Sequence, residues 1–278
     1  MVNQRLTFHV PSEGAPEKML PVLKAIYEEG QRFQSVKDLQ SFSRDRGLSD
    51  RVELQGMAHA IGLLARNNDY ISLTRQAETI VRLSLNLQAD VIHYLLYTGW
   101  RLDTPAQNSF LWSYREVVNS YWDRRVVDVV KTANLIAEEI NNRTTSLFSE
   151  VEGYSSGEVS FSPKSIRGVR KWLEALIPPV IESNVFTRRS FCPSELVLLA
   201  VGWVAQQTEG EIGIDFLITP PRREAICRLC LLEPNSLDSV LDWMLPNYPK
   251  VVLPGTSAGV YGRYLRFLRW PQIIDLIE

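Results

Sequence analysis

Three groups of apolar residues at helical spacing predict three helices in the first 66 residues of the chain. The groups are Met19, Leu23, Ile26 and Tyr27; Val36, Leu39 and Phe42; and Leu54, Ala58, Ile61 and Ala65. Ser35 is placed to cap the second helix, and Gly47 is placed to end it. The third group predicts a helix over about residues 51–66.

A turn and a strand are predicted directly after the third helix. Residues 67–69 read Asn-Asn-Asp, which favours a turn. Ile71 and Leu73 alternate with the more polar Tyr70 and Ser72, as in a half-buried strand. Thr74 is placed to cap a further helix. The predicted order is therefore three helices, a turn, a strand and a helix.

Residues 17–84 resemble a winged helix-turn-helix domain. The resemblance rests on this order of elements and on the local sequence LLARNNDYISLT at residues 63–74. It implies that the third helix lies along the major groove of DNA and that the hairpin forms the wing. Winged helices also serve as protein-protein modules, so the resemblance implies a fold more strongly than a function.

The rest of the chain is predicted to be mainly helical. Apolar stripes indicate a helical bundle in the middle third: Ile92, Leu95 and Leu96; Leu111, Tyr114, Val118 and Tyr121; and Val126, Val130, Ala133, Ala137 and Ile140. In the last third, Ser162 and Pro163 begin a helix, and later cap residues predict further helices. An extended stretch over residues 261–270 then completes a second winged-helix-like order.

These patterns predict a mostly α fold with small β-hairpins, in three domains. We expect a winged helix-turn-helix at residues 1–85, a helical linker or bundle at 86–159 and a winged-helix-like domain at 160–278. A length of 278 residues with 45% hydrophobic residues is enough for a sizeable core.

The composition of the chain excludes some classes of binding partner and indicates a cellular compartment. A net charge of −2 excludes a chain that coats nucleic acid by charge alone. No apolar run reaches the roughly 20 residues that span a bilayer, and the first ten residues lack a signal-peptide pattern. Three cysteines cannot form a disulfide framework, which fits a reducing compartment. We therefore expect a cytoplasmic protein with no membrane partner.

The predicted third helix carries candidate DNA contacts. Its outward residues are expected to be Arg51, Gln55, His59 and Arg66, with Arg75 near the wing as a phosphate contact. Such side chains bond base edges and phosphates in a groove. The alternative is a solvated helix face that Asp50 and Glu53 partly neutralise.

Two basic clusters in the last third are further candidates. The first includes Lys164, Arg167 and Arg170. The second lies within residues 250–270, which hold no acidic residue, and contains Lys250, Arg263, Arg266 and Arg269. An extended backbone would place Arg263 and Arg269 on one side for phosphate binding and Arg266 on the other. The alternative is salt bridges to the middle third, whose residues 86–159 carry six basic and ten acidic groups.

Motifs of enzymes and metal sites are present only in fragments. Cys227 and Cys230 form a C-x-x-C, but structural zinc needs four ligands, and no second pair exists. Residues 255–259 match G-x-S-x-G, yet no histidine follows His93. We therefore expect buried structural cysteines, a flexible turn, no metal, no cofactor and no small-molecule substrate.

The sequence favours a non-enzymatic DNA-binding protein. The alternative is a protein-protein interaction subunit or scaffold of a nucleic-acid-associated complex, with a protein partner or a second copy of the chain. A third hypothesis is a hydrolase that uses Ser257.

Overall fold

The computed structural model describes residues 8–67, 69–105, 107–149, 151, 161–255 and 262–277. Its helices are α1 (Pro16–Glu29), α2 (Val36–Asp45), α3 (Val52–Ala60), α4 (Arg75–Arg82), α5 (Leu85–Thr98), α6 (Ser109–Arg124), α7 (Ala133–Phe148), α8 (Pro163–Glu174), α9 (Ser194–Gln207), α10 (Pro220–Cys230) and α11 (Leu237–Asn247). Its strands are β1 (Leu64–Asn67), β2 (Tyr70–Leu73), β3 (Val126–Asp128), β4 (Ile181–Glu182), β5 (Val185–Thr187), β6 (Asp215–Leu217), β7 (Val252–Pro254) and β8 (Tyr264–Phe267). The prediction of a mostly helical chain with small hairpins is confirmed. None of the helices in these ranges is long and apolar enough to cross a membrane.

The middle of the chain folds in the order α6, β3, α7, α8, β4 and β5. Its three strands form an antiparallel sheet in which β5 lies between β3 and β4. The turn between β4 and β5 consists of Ser183 and Asn184, both in the left-handed region with φ of 49° and 66°. Two such residues form a turn whose twist matches that of the flanking strands, so the hairpin is tight.

The last third repeats this topology in the order α9, β6, α10, α11, β7 and β8. Here β8 lies between β6 and β7, again in an antiparallel sheet. Both units therefore consist of a helix, a strand, two helices and a hairpin, with the last strand at the centre of the sheet.

The first third has the same topology with a shortened first strand. Its order is α1, Phe33, α2, α3, β1 and β2. The Phe33 amide donates to the Ile71 carbonyl at 2.9 Å, and the Ile71 amide donates to the Phe33 carbonyl at 2.7 Å. Phe33 thus takes the place of the first strand, and β2 lies between it and β1. The same unit occurs three times along the chain.

The third predicted helix is shorter than expected. Helix α3 ends at Ala60, and Gly62 then reverses the chain in the left-handed region with φ of 72°. Residues 64–67 pair with residues 70–73 as an antiparallel hairpin. The prediction of helix over residues 51–66 is wrong beyond residue 60, because Ala65 fits a strand as well as a helical stripe. The predicted strand over residues 70–73 is confirmed.

The middle third is not the purely helical bundle that its apolar stripes predict. Val126 belongs to strand β3, and helix α7 begins only at Ala133. Between them the Asp128 carboxylate accepts the amide hydrogens of Val130 and Lys131 at 3.0 Å each, which fixes a turn. The boundary expected between residues 159 and 160 falls inside the middle unit, because β3 pairs with β5.

Several helix starts follow the cap residues of the sequence. Ser35 and Asp38 form a reciprocal capping box at the start of α2. The Thr74 hydroxyl accepts the Ala77 amide at the start of α4. Helix α8 begins at Pro163, directly after Ser162. These predicted starts are confirmed.

Helix α5 joins the units through a buried polar cluster. It packs against α6 of the middle unit and α9 of the last unit. Its Asp90 forms an ion pair of 2.7 Å with Arg189, and both side chains are almost completely buried. Arg189 also donates to the Cys230 and Ile177 carbonyls, so one guanidinium connects three segments of the chain.

Candidate nucleic-acid interface

The basic residues predicted near residue 164 lie together on one exposed face of α8. Lys164, Arg167 and Arg170 follow one another at intervals of three residues. Lys164 and Arg167 are exposed, and neither has a hydrogen-bond or ion-pair partner among the described residues. Arg170 donates to the Glu174 carboxylate and to Asn184 Oδ1, each at 2.6 Å. Helix α8 therefore presents two unpaired cations and a third that the β4–β5 hairpin holds in position.

The sequence of α8 determines which side faces outward. Ile166, Val169 and Trp172 are buried on the opposite side. Lys164 lies in the first turn, where the helix dipole is positive and a cation is unfavourable for the helix itself. The positive potential of the dipole adds to that of the side chains, so this end of α8 attracts anions.

A groove of about 290 Å³ runs along one side of the basic face. Its lining includes the apolar side chains of Val130, Ala133 and Ile166 and the cations Lys164, Arg167 and Arg170. Val130 is 57% exposed, so part of the apolar lining is open to solvent. Such a groove suits contact with the sugars and phosphates of a nucleic-acid backbone.

The N-terminal segment covers the other side of α8. A Cβ atom at Gly168 would lie 2.3 Å from the Val10 carbonyl oxygen, so only glycine permits this approach. His9 Nδ1 and Ser165 Oγ are hydrogen-bonded at 2.8 Å. The segment continues into a short 3-10 helix, Ser12–Gly14, which contacts α3 as well as α8. Helices α3 and α8 therefore lie on two sides of one segment.

Arg51 lines a small cavity together with Glu13 and Glu17. It is exposed at the start of α3. A hydrogen bond from Lys18 lowers the pKa of the Glu13 carboxyl, and the charges of Arg51 and Lys171 add to this effect. Lys171 belongs to α8 and forms an ion pair with Glu17. Arg51 and Lys171 therefore both lie near the carboxylates of Glu13 and Glu17.

The other residues predicted on the third helix lie elsewhere. Gln55 is only 3% exposed, so its predicted outward position is wrong. The N-terminal 3-10 helix packs against α3, which a periodicity within α3 does not reveal. His59 is half-buried in the last turn, and Arg66 is exposed on β1 rather than on the helix. Arg75 begins α4 and lines a separate cavity of about 450 Å³.

The arginines of the C-terminal basic cluster are neutralised by acidic residues outside the stretch 250–270. Arg263 forms an ion pair with Asp242, and its guanidinium also donates to the Asp238 carbonyl at 3.0 Å. Arg269 forms an ion pair with Asp275. The expectation of uncompensated charge at Arg263 and Arg269 is therefore wrong.

Two further basic residues complete this cluster. Arg266 pairs with Asp215 at 2.8 Å, and its side chain is 40% exposed rather than turned inward. Lys250 is exposed in the turn that precedes β7. Ser257 and most of the turn that contains it lie outside the described residues.

The cysteines are buried in the last unit. Cys192, Cys227 and Cys230 are all buried free thiols, the last two on α10. Burial raises the pKa of the Cys227 thiol to about 12. Within the described ranges, no group of three or more histidine, cysteine, aspartate or glutamate residues is placed to hold a metal ion.

The exposed face of α11 is a feature that the sequence patterns did not single out. Trp243 is 71% exposed, and the neighbouring Asp242 side chain is 69% exposed. A tryptophan between two apolar core residues, Leu241 and Met244, looks like part of the core in sequence. The helical spacing of the buried residues Val240, Leu241 and Met244 would have placed Trp243 on the exposed side of α11.

No protein family model, curated protein or solved structure matches the chain.

Proposed function

We propose that this chain is a non-enzymatic DNA-binding protein built from three winged-helix units. The recurring order of helix, strand, two helices and hairpin supports this fold, together with the central position of the last strand in each unit. In the helix-turn-helix mode of binding, the recognition helix lies in the major groove. Helix α8 is the corresponding helix of the middle unit.

The observation that carries the proposal is the exposed, unpaired pair Lys164 and Arg167 on α8. Arg263 and Arg269 of the C-terminal cluster are instead paired with carboxylates of the same chain. Cations without such partners have their full charge available for phosphates and release counterions on binding. Arg170, Lys171 and Arg51 extend the basic face at its edges.

We further propose that the protein works in a reducing compartment such as the cytoplasm. Its three cysteines are free and buried, with two of them on a helix next to the core. This arrangement supports a structural use of the thiols and no catalytic one.

The experiment compares two variants that each remove one exposed arginine. Arg167→Ala removes a cation from α8, and Arg82→Ala removes one from the end of α4; neither arginine has an ion-pair partner among the described residues. We expect Arg167→Ala to weaken binding to a fluorescent DNA duplex about fivefold to tenfold, as loss of one phosphate contact requires. Arg82→Ala should leave the affinity unchanged.

The outcome is decided by the difference between the two variants. Equal weakening by both would mean that binding responds only to net charge. Absence of duplex binding by the unaltered protein at low salt would end the proposal.

A second candidate function is protein docking through α11. Its support is the exposure of Trp243, which follows Asp242 on α11. Tryptophans are enriched at the centres of protein-protein interfaces, so this face is a candidate contact for a second copy of the chain.

A further inference from the structure

A second open cleft lies at the junction of α5, α6 and α9. It has a volume of about 680 Å³. Trp100 and Leu102 line it from the segment after α5, Arg115 from α6, and Trp203, Gln206 and Gln207 from α9. None of these residues belongs to the basic face of α8.

Arg115 is a half-buried cation without an anion. Its guanidinium carbon lies 4.9 Å from the centre of the Trp100 ring, and it has no ion pair with any described carboxylate. Glu116, the neighbour of Arg115 in sequence, pairs with Arg143 at 2.6 Å. Asp103 lines the same cleft, where it pairs with Arg101 at 3.1 Å. A partly desolvated guanidinium with five free donors favours an anionic group that accepts two of them.

The other side chains of the cleft suit a planar ring. Trp203 is half-buried and contacts Tyr97 edge-to-face, with 6.2 Å between ring centres. Its indole therefore has a supporting contact on one edge while it also lines the cleft. Gln206 Nε2 donates to the Gly202 carbonyl, which leaves Oε1 as an acceptor, and the Gln207 amide has no described partner. Amides beside an indole are typical of sites that stack a heterocycle and bond its edge.

We propose that this cleft binds a nucleoside phosphate, with Arg115 at the phosphate and Trp203 against the base. Both a free mononucleotide and an unstacked nucleotide of a single strand have this chemistry. The cleft volume accommodates either of them. The inference is independent of duplex binding by α8.

The test measures binding of adenosine monophosphate by calorimetry and of a labelled single-stranded oligonucleotide by fluorescence anisotropy. We expect at least one of these two ligands to bind. Arg115→Met should weaken that binding about tenfold or more, since it removes a charged hydrogen-bond pair. Trp203→Leu should weaken it as well. Arg82→Met is the matched control and should change nothing.

The calorimetric and anisotropy measurements together distinguish a free mononucleotide from a nucleotide within a single strand as the ligand. Binding of the oligonucleotide alone, weakened by Arg115→Met, assigns the cleft to a nucleotide within a strand. The double variant Lys164→Ala/Arg167→Ala should leave binding of adenosine monophosphate unchanged, which separates this site from α8.

Three results would overturn the proposal. They are absence of binding in both arms at millimolar ligand, equal affinity of Arg115→Met, or inorganic phosphate binding as tightly as the mononucleotide. Circular dichroism of each variant establishes that it is folded. Arg115→Lys, which retains the charge without the planar fork, should bind with intermediate affinity.

Discussion

At the scale of single residues, His93 is held in one protonation state by two hydrogen bonds. Its Nε2 lies 2.8 Å from the Leu229 carbonyl, which only accepts, so Nε2 carries the hydrogen. Nδ1 then accepts the Tyr114 hydroxyl at 2.7 Å. Burial lowers the pKa of His93 from 6.5 to about 4. The folded protein therefore contains a neutral imidazole that becomes protonated more readily when the chain unfolds.

This arrangement predicts acid sensitivity. Between pH 6.5 and pH 4 the unfolded state binds the proton and the folded state does not, so stability falls as the pH falls. From about pH 7 to about pH 5, His93 should account for a loss of about 2 kcal/mol in the free energy of unfolding.

The measurement is urea unfolding of the unaltered protein and of His93→Gln at both pH values. Glutamine offers a donor and an acceptor but does not titrate, so its pH dependence should be smaller by that amount. Parallel pH dependence in the two proteins would contradict the assignment.

The sequence alone could not predict which basic side chains are neutralised by carboxylates. Lys164, Arg167 and Arg170 were predictable as a cluster because they share one helix, where spacing determines the face. The partner of Arg263 lies 21 residues away, and that of Arg269 lies beyond the basic stretch. Only the tertiary fold brings those charges together.

At the scale of elements, two glycines within helices have opposite roles. Gly168 in α8 faces the Val10 backbone, whereas a Cβ atom at Gly56 in α3 would meet nothing within 4 Å. We expect Gly168→Ala to destabilise the fold by about 2 kcal/mol through overpacking against the backbone. Gly56→Ala should instead stabilise it by about 0.5–1 kcal/mol through helix propensity.

Urea unfolding midpoints of the two variants provide the test. A stabilised Gly168→Ala would mean that the N-terminal segment is not packed against α8.

Helix α11 supports a prediction about self-association. If a second copy docks on this face, Trp243→Ser should shift the protein from dimer to monomer in sedimentation equilibrium. The control is Leu85→Ser, since Leu85 is 74% exposed on α5 and belongs to no such face. A monomeric unaltered protein would remove this candidate function.

Helices were predictable from the sequence where a cap residue or a proline defines their first turn. Ser35, Thr74 and Pro163 marked helix starts through caps and fixed dihedral angles. Strand β3 was missed because three residues between helices are too short for a periodicity, and Val126 also fits a helical stripe. The residues of β3 form a strand because they pair with β5. The register of this pairing places Val127 opposite Phe186, which lies 59 residues later in the chain.

At the scale of the whole molecule, one topology occurs three times with different surfaces on its third helix. Helix α3 exposes Arg51 and Glu53 and has little net charge, α8 is basic, and α11 carries Asp242 and Trp243. The sequence indicated this order at both ends of the chain but not in the middle, where the unit is defined by the pairing of short strands rather than by recurring residues. The different faces are compatible with a division of tasks among the units, in which α8 is the proposed DNA-binding element.

The salt dependence of duplex binding tests this central claim most directly. The unaltered protein and the double variant Lys164→Ala/Arg167→Ala are titrated with a labelled duplex over a range of salt concentrations. If both cations contact phosphates, the slope of log affinity against log salt concentration should decrease in magnitude by about two in the variant. The affinity should fall on all sequences alike. An unchanged slope and affinity in the double variant would contradict the assignment of α8 as the DNA-binding surface.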